Sequence, residues 1–334
     1  MRDKQAETFD ALLDSLIDPT DRLRAALIYR LSDPAPEDFA LLKQRWHEVP
    51  VERRQLLLSR MAESSETNFD LDFSTVAQFA LQDEDPTVRR YAISALWISE
   101  DIATMHTLIH LLQMDEAAEV RAAAAEALGR FVLAGELGDL PDGSTAEAES
   151  ALLEVFDSDH EELDVQRRAL ESLAYSGREG IDDLIDSARQ HESIAMQATA
   201  LFAMGRSANR RWARYVIRAL DEAEPELRYE AARAAGELGL ASTVPRLARL
   251  ARDPDREIRE AAIWSLGEIG GLEAQNVLLR LMNEEDDGDL LEAIEDSINT
   301  AALSTGDFVT YMFTPSADFE DEDEFDDLED DDET

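Results

Sequence analysis

Asp253-Pro254-Asp255-Arg256-Glu257-Ile258-Arg259-Glu260-Ala261-Ala262-Ile263-Trp264-Ser265-Leu266-Gly267-Glu268-Ile269-Gly270 is the stretch that decides the fold. Ile258, Ala262 and Leu266 stand at spacings of zero, four and eight, which is one apolar stripe of a helix. Asp255, three before Ile258, is placed to accept the free N–H groups of a first helical turn. Gly270, twelve after it, suits a left-handed stop. With Ile258 as anchor, equivalent residues recur at Leu23, Val88, Val120, Val165, Met196, Leu227 and Leu290, with a poor fit at Arg53. From Val165 onward the steps are 31, 31, 31 and 32 residues. Chance does not space anchors so evenly, and repetition on this scale means stacked supersecondary units.

Each copy repeats the chemistry. Four after the anchor come Leu27, Ala92, Ala124, Ala169, Ala200, Ala231 and Ile294; eight after it come Leu31, Leu96, Leu128, Leu173, Met204, Ala235 and Ile298. Thr20, Asp85, Ser193 and Asp287 occupy the capping position three before, and Pro86 and Pro225 the first helical position, where no N–H is missed. Second amphipathic segments lie between, at 102–112, 180–188, 212–220, 244–250 and 274–281. The unit is helix–turn–helix, about 31 residues long, and its stacking makes an α-solenoid. The step from Val120 to Val165 is 45 residues, and its surplus at 134–150, rich in Gly, Pro and Asp, is expected to form an exposed loop.

The pattern Asp-x-x-x-x-[Val/Ile/Leu]-Arg-x-x-Ala-x-x-Ala-Leu-Gly, clearest at 115–129 and 253–270, resembles the HEAT-repeat family. More narrowly it is similar to the short HEAT-like repeats of phycobilisome lyases and deoxyhypusine hydroxylase, over roughly residues 10–300. The resemblance implies an all-α, right-handed solenoid of about nine helix pairs over 1–315. It implies too that the anchor helices form the inner layer, and that an Asp–Arg ladder links neighbouring turns. The acids or substitutes five before the anchor are Asp18, Glu48, Asp83, Asp115, His160, His191, Glu222, Asp253 and Glu285; Arg24, Arg89, Arg121, Arg228 and Arg259 stand one after it. Bidentate pairing explains why the cation is Arg and not Lys. The acids are alternatively a metal-binding row, but repeats about 10 Å apart do not converge on one ion.

Charge sets the next limits. The 334 residues carry 31 Lys+Arg against 75 Asp+Glu, a net charge of −44. Thirteen of the acids fall in 318–334 with no base. Residues 316–334 are expected to be a disordered acidic tail, in which Phe319, Phe325 and Leu328 make an acidic–hydrophobic interaction pattern. A field of this sign opposes nucleic acid and anionic membranes. The first residues lack an apolar signal core, and no run of 18 apolar residues occurs, so a cytoplasmic protein without a membrane span is expected. Without Cys there is no disulfide, Cys-ligated zinc or thiol nucleophile.

Catalytic signals are sparse. There is no G-x-S-x-G elbow, P-loop or dinucleotide fingerprint. The resemblance implies an alternative, an enzyme of phycobilin-lyase or deoxyhypusine-hydroxylase (oxidoreductase) type, the latter binding iron through His-Glu pairs just after the anchor. Those positions here are Arg90-Tyr91, Ala122-Ala123, Arg167-Arg168, Tyr229-Glu230 and Glu260-Ala261. The pairs actually present, His47-Glu48, His160-Glu161 and His191-Glu192, fall in turns, and His106 and His110 lack the Glu of a zincin motif. Neither metal nor cofactor is expected.

Two surfaces qualify as binding faces. Tyr29, Arg90, Trp97, Arg167, Phe202, Tyr229, Arg233 and Trp264 fall opposite the buried stripe, on the side that the resemblance makes concave. Aromatic and Arg side chains anchor protein interfaces, so the expected partner is a protein or peptide; the competing reading packs these residues between inner helices. Arg206, Arg210, Arg211, Trp212, Arg214 and Arg218 form the second, a basic ridge expected on the outer helices, extended by Arg246, Arg249 and Arg252. It would dock an acidic segment, the chain's own tail included.

Overall fold

The structure is a computed structural model and describes residues 8–305; the expected acidic tail lies outside the described residues. Eighteen α-helices occur among them: α1 (Phe9–Ile17), α2 (Ala25–Leu31), α3 (Pro36–Arg45), α4 (Val51–Thr67), α5 (Ser74–Ala80), α6 (Pro86–Ala95), α7 (Ile102–Met114), α8 (Ala118–Leu137), α9 (Ala146–Phe156), α10 (Leu163–Leu173), α11 (Ile181–Ala188), α12 (Ile194–Arg206), α13 (Ala213–Ala219), α14 (Pro225–Glu237), α15 (Val244–Leu250), α16 (Arg256–Ile269), α17 (Gly271–Glu284) and α18 (Gly288–Thr305). Each even-numbered helix packs on the next even-numbered one, and the odd-numbered helices form the second layer. The fold is an α-solenoid, with its core between the two layers.

The even-numbered helices come unusually close. A Cβ on Gly267 would stand 3.0 Å from Ser297 Cα, and one on Gly236 2.9 Å from Ser265 Cα. Ser265 Oγ donates back to Ala232 O (2.7 Å), and Ser172 Oγ to Ala125 O (2.7 Å). Small residues at these crossings let the even-numbered helices approach closely. We call this layer the inner one, the side that the repeat resemblance makes concave.

Turn chemistry is shared from repeat to repeat. Asp83 Oδ1 accepts the N–H of Asp85 (3.0 Å), Asp115 that of Ala117 (2.9 Å) and Asp253 that of Asp255 (3.0 Å). The following Arg donates Nη1 to its own turn: Arg89 to the Asp83 and Glu84 carbonyls, Arg121 to Asp115 and Glu116, Arg228 to Glu222 and Ala223. The other edge of the guanidinium crosses to the next turn. Arg89 grips Asp115 through Nε and Nη2 (2.8 and 2.7 Å), and Arg228 reaches Asp253 (3.2 and 3.4 Å). Arg121 takes Glu161 (2.7 Å), because His160 occupies the acid's place. One rung lies at a site without an anchor apolar: Arg54 to Asp83 (2.6 Å).

Several expectations need correction. Arg259 donates to the Asp253 and Pro254 carbonyls of its own turn, and no ion pair with Glu285 occurs among the described residues. Thr20 is no helix cap, since α2 begins at Ala25; it donates instead to Asp18 (2.7 Å). The loop at 134–150 shrinks to 138–145. α8 continues through Gly135, whose missing Cβ makes room for Thr145, and stops at Gly138 (φ 81°) with Asp139 N–H returned to Ala134 O. The poorly fitting Arg53 is buried because its guanidinium closes the end of α1, donating to Ser15 O (2.8 Å) and Leu16 O (3.0 Å).

The ladder gives a ranked stability test. Arg89→Ala strands a buried carboxylate and two turn carbonyls, and should cost about 1–3 kcal/mol by urea unfolding. Arg90→Ala, whose side chain is 35% exposed and pairs with Glu119 at 3.3 Å, should stay within about 0.5 kcal/mol of the parent. Equal losses would mean that the rungs do not hold the stack.

Candidate functional site on the inner face

The groove residues sit where α10, α12, α14 and α16 turn their free edges inward. Phe202, Tyr229 and Trp264, on three successive inner helices, are half-buried, and none is sealed in the core. Trp264 leans against Gly236 of the preceding helix, and the Arg233 guanidinium lies over its ring at 4.0 Å. Arg206 lies over Phe202 at 5.2 Å and Tyr175 at 5.8 Å, while its Nη2 meets Glu237 at 3.3 Å. Arg167 donates Nε to Thr199 Oγ1 (3.0 Å), whose hydroxyl donates to Glu171 (3.2 Å). These residues form one Arg–aromatic–Glu strip.

Farther up the stack the grouping loosens. Trp97 is fixed by an Nε1–H···Oγ bond to Ser65 (2.8 Å) and touches exposed Phe69. Arg90 lies over Tyr91 at 4.3 Å. Tyr29, 62% exposed on α2, stands apart from both groups.

Two cavities open on this face. One of about 190 Å³ is lined by Arg167, Tyr229 and Glu230 with Asp255 and Glu257 at its rim. The other, about 370 Å³, lies between α6 and α8 and is lined by Trp97, Glu126 and Arg130 among others. Burial pushes the Glu230 carboxyl up to about 7, helped by Glu171 and Glu237 and opposed by Arg233 and Arg167. Among the described residues nothing hydrogen-bonds to it. Burial likewise pulls the Arg130 guanidinium down to about 10, and its Nη2 has no partner.

Glu230, Glu171, Glu237, Tyr175 and Arg130 are not among the groove candidates, which are aromatic and Arg side chains at positions two, six and nine after the anchor; Glu171 stands at position six but is acidic. Positions three and ten border the groove as well, and four of these five residues occupy them. Charge at those positions was the available signal.

The ridge needs two corrections. Trp212 is fully buried, its Nε1 donating to Asp182 (3.2 Å), because Trp212, Val216 and Leu220 form the apolar stripe of their own helix. Arg206 ends inner helix α12 and belongs to the groove. Arg210, Arg211, Arg214 and Arg218 are exposed on and beside α13.

Among the described residues no group of three or more His, Asp or Glu is arranged to hold a metal ion. A family model for HEAT repeats matches residues 74–174, 181–247 and 213–299. The chain belongs to the HEAT-repeat family. No curated protein sequence matches it. Among solved structures, this HEAT-repeat chain is similar to YibA of Escherichia coli at 15% identity, over 90% of this chain and 99% of that one, with TM-score 0.43. It is similar to human deoxyhypusine hydroxylase at 20% identity (78% and 95% covered, TM-score 0.34). The third is the CpcE–CpcF phycocyanin lyase complex of Nostoc sp. PCC7120, at 17% identity (68% and 94% covered, TM-score 0.46).

The raised Glu230 has a signed consequence for stability. Its folded value of about 7 exceeds the unfolded one, so the folded state keeps a proton that the unfolded state releases between roughly pH 4.5 and 7. Stability therefore falls as pH rises through that window. Glu230→Gln should flatten the urea-midpoint profile there, gaining about 1–3 kcal/mol on the parent by pH 7.5. Parallel profiles would place Glu230 in ordinary solvent.

Proposed function

We propose that the protein is a non-catalytic HEAT-repeat scaffold or adaptor that holds a protein or peptide along its inner groove. The observation that carries this is the row Phe202, Tyr229 and Trp264, half-exposed on three successive inner helices with Arg206 and Arg233 stacked on it. At about 10 Å per helix step the row extends some 20 Å, the length of about six extended residues. Aromatic and Arg side chains give large contact area at low ordering cost, the usual make-up of interface anchors. The other groove residues, Tyr29, Arg90, Trp97 and Arg167, would extend contact along the same face.

The partner class follows from charge. A chain at −44 repels nucleic acid and anionic lipid, which leaves protein partners. No described helix is long and apolar enough to cross a membrane; a cytoplasmic location is part of the same proposal. The same reading treats 1–315 as one solenoid and 316–334 as a separate acidic segment. Neither the lyase nor the hydroxylase alternative gains an observation, since no His-Glu pair lies on an inner helix.

The test compares the parent with Phe202→Ala, Tyr229→Ala and Trp264→Ala. Partners captured on immobilised parent are identified by mass spectrometry, and the affinity of each variant is measured. Each substitution should weaken binding by about 1–3 kcal/mol while destabilising by less than the 2–5 kcal/mol typical of a core truncation. Unchanged affinity in a destabilised protein would assign these rings to helix packing. Stoichiometric iron or a bound chromophore in the purified protein would favour the enzyme reading.

A further inference from the structure

Residues 205–220 and 238–252 contain eight Arg and no acid, in a chain where acids outnumber cations 75 to 31. Arg206 excepted, these Arg belong to the outer layer. Arg246 and Arg249 both reach back to Asp221, at 3.0 and 2.7 Å, which joins the surfaces of α13 and α15. The local acids do not balance the patch. Asp182 takes Arg211 and Glu284 takes Arg252, but Asp221 is shared between two Arg. Arg210 donates to Gly239 O, Arg214 to the Tyr215 hydroxyl, and Arg218 has no carboxylate partner among the described residues. Glu222 and Asp183 are exposed nearby, and Asp186 is held by Arg189. A net positive ridge therefore persists on the outside of an acidic protein.

We propose that this ridge docks the chain's own acidic segment, residues 318–334. Charge complementarity is the first reason: the segment has 13 acids and no base. Reach is the second. Twelve residues, 306–317, separate Thr305, the last of α18, from Asp318; fully extended, the thirteen steps span about 43–47 Å. The ridge lies one and two repeats back from α18 and one helix layer outward, about 30 Å at 10 Å per step. The acidic body does not forbid this, because charges beyond a Debye length of about 8 Å are screened at physiological salt. Tethering makes the segment's effective concentration about millimolar, so weak contacts suffice. Phe319 and Phe325 also supply ring faces for exposed guanidinium groups. This inference is independent of the groove reading.

The absence of Cys makes the test clean. Donor and acceptor dyes are attached through Thr334→Cys and Ser242→Cys, the latter exposed in the turn before α15. Energy transfer in the full chain should be high at about 50 mM salt and fall several-fold by about 1 M. Adding Arg214→Glu, Arg218→Glu and Arg249→Glu should lower it to the high-salt value at low salt, with the melting curve unchanged. A control pair using Thr107→Cys, exposed on α7, should show little transfer at either salt. Salt-independent transfer, an unaffected ridge variant, or equal behaviour of the control pair would overturn the proposal. So would a single-stranded DNA oligonucleotide that binds the ridge while transfer stays at baseline without it, which would assign the ridge to nucleic acid.

Discussion

The stack depends on one guanidinium geometry. An Arg one residue past the anchor closes its own turn with Nη1 and clamps the next turn's carboxylate with its other edge. That carboxylate in turn holds a backbone N–H of the turn it belongs to, as Arg89, Asp115 and Ala117 show together. Three functions meet in one side chain: capping, register and repeat-to-repeat linkage. Lys has no planar fork and cannot perform them at once, which fits a chain with only two Lys. Where the rung forms, it fixes one turn against the next, so the inner helices on either side of it present the same positions to the groove.

Where the rung loses its charge, the pairing moves. Gln166 and Gln197 occupy the Arg position in two consecutive repeats, and their amides reach only carbonyls, those of Ser158 (2.8 Å) and His191 (2.7 Å) among them. His191 serves in the acid's place as an acceptor, its Nδ1 taking the Ser193 N–H (3.0 Å). No cation is present there for a carboxylate to meet. On the inner face of these repeats, by contrast, Arg167, Arg168 and Glu171 form a paired cluster. Charge pairing on the inner face therefore persists where the turn has lost its cation.

The fold was legible because a 31-residue period survives every local substitution. Arg54 was missed because its neighbour Arg53 is polar, so the anchor that should have pointed to it was weak; its burial depends on the end of α1, far away in sequence. Trp212 was misplaced because five Arg around it suggested an exposed surface, although its spacing to Val216 and Leu220 already marked a buried stripe. Glu230 is different in kind. Its environment includes Glu171 two inner helices away, and no local pattern in the sequence records that meeting.

The two charged surfaces follow opposite rules. In the groove, Arg206 and Arg233 lie over rings and beside half-buried acids, so their charge is fixed in place and costly to leave unmatched once desolvated. On the ridge, Arg214 and Arg218 remain in water, where a single ion pair is worth under about 1 kcal/mol. Under the proposed function, specific recognition would fall to the groove, which can discriminate shape, and the ridge would suit a tethered or highly charged ligand that sums many weak contacts. A solenoid can keep both because each repeat has two layers: substitutions on the outer helix change the ridge without disturbing the close inner crossings at Gly236 and Gly267.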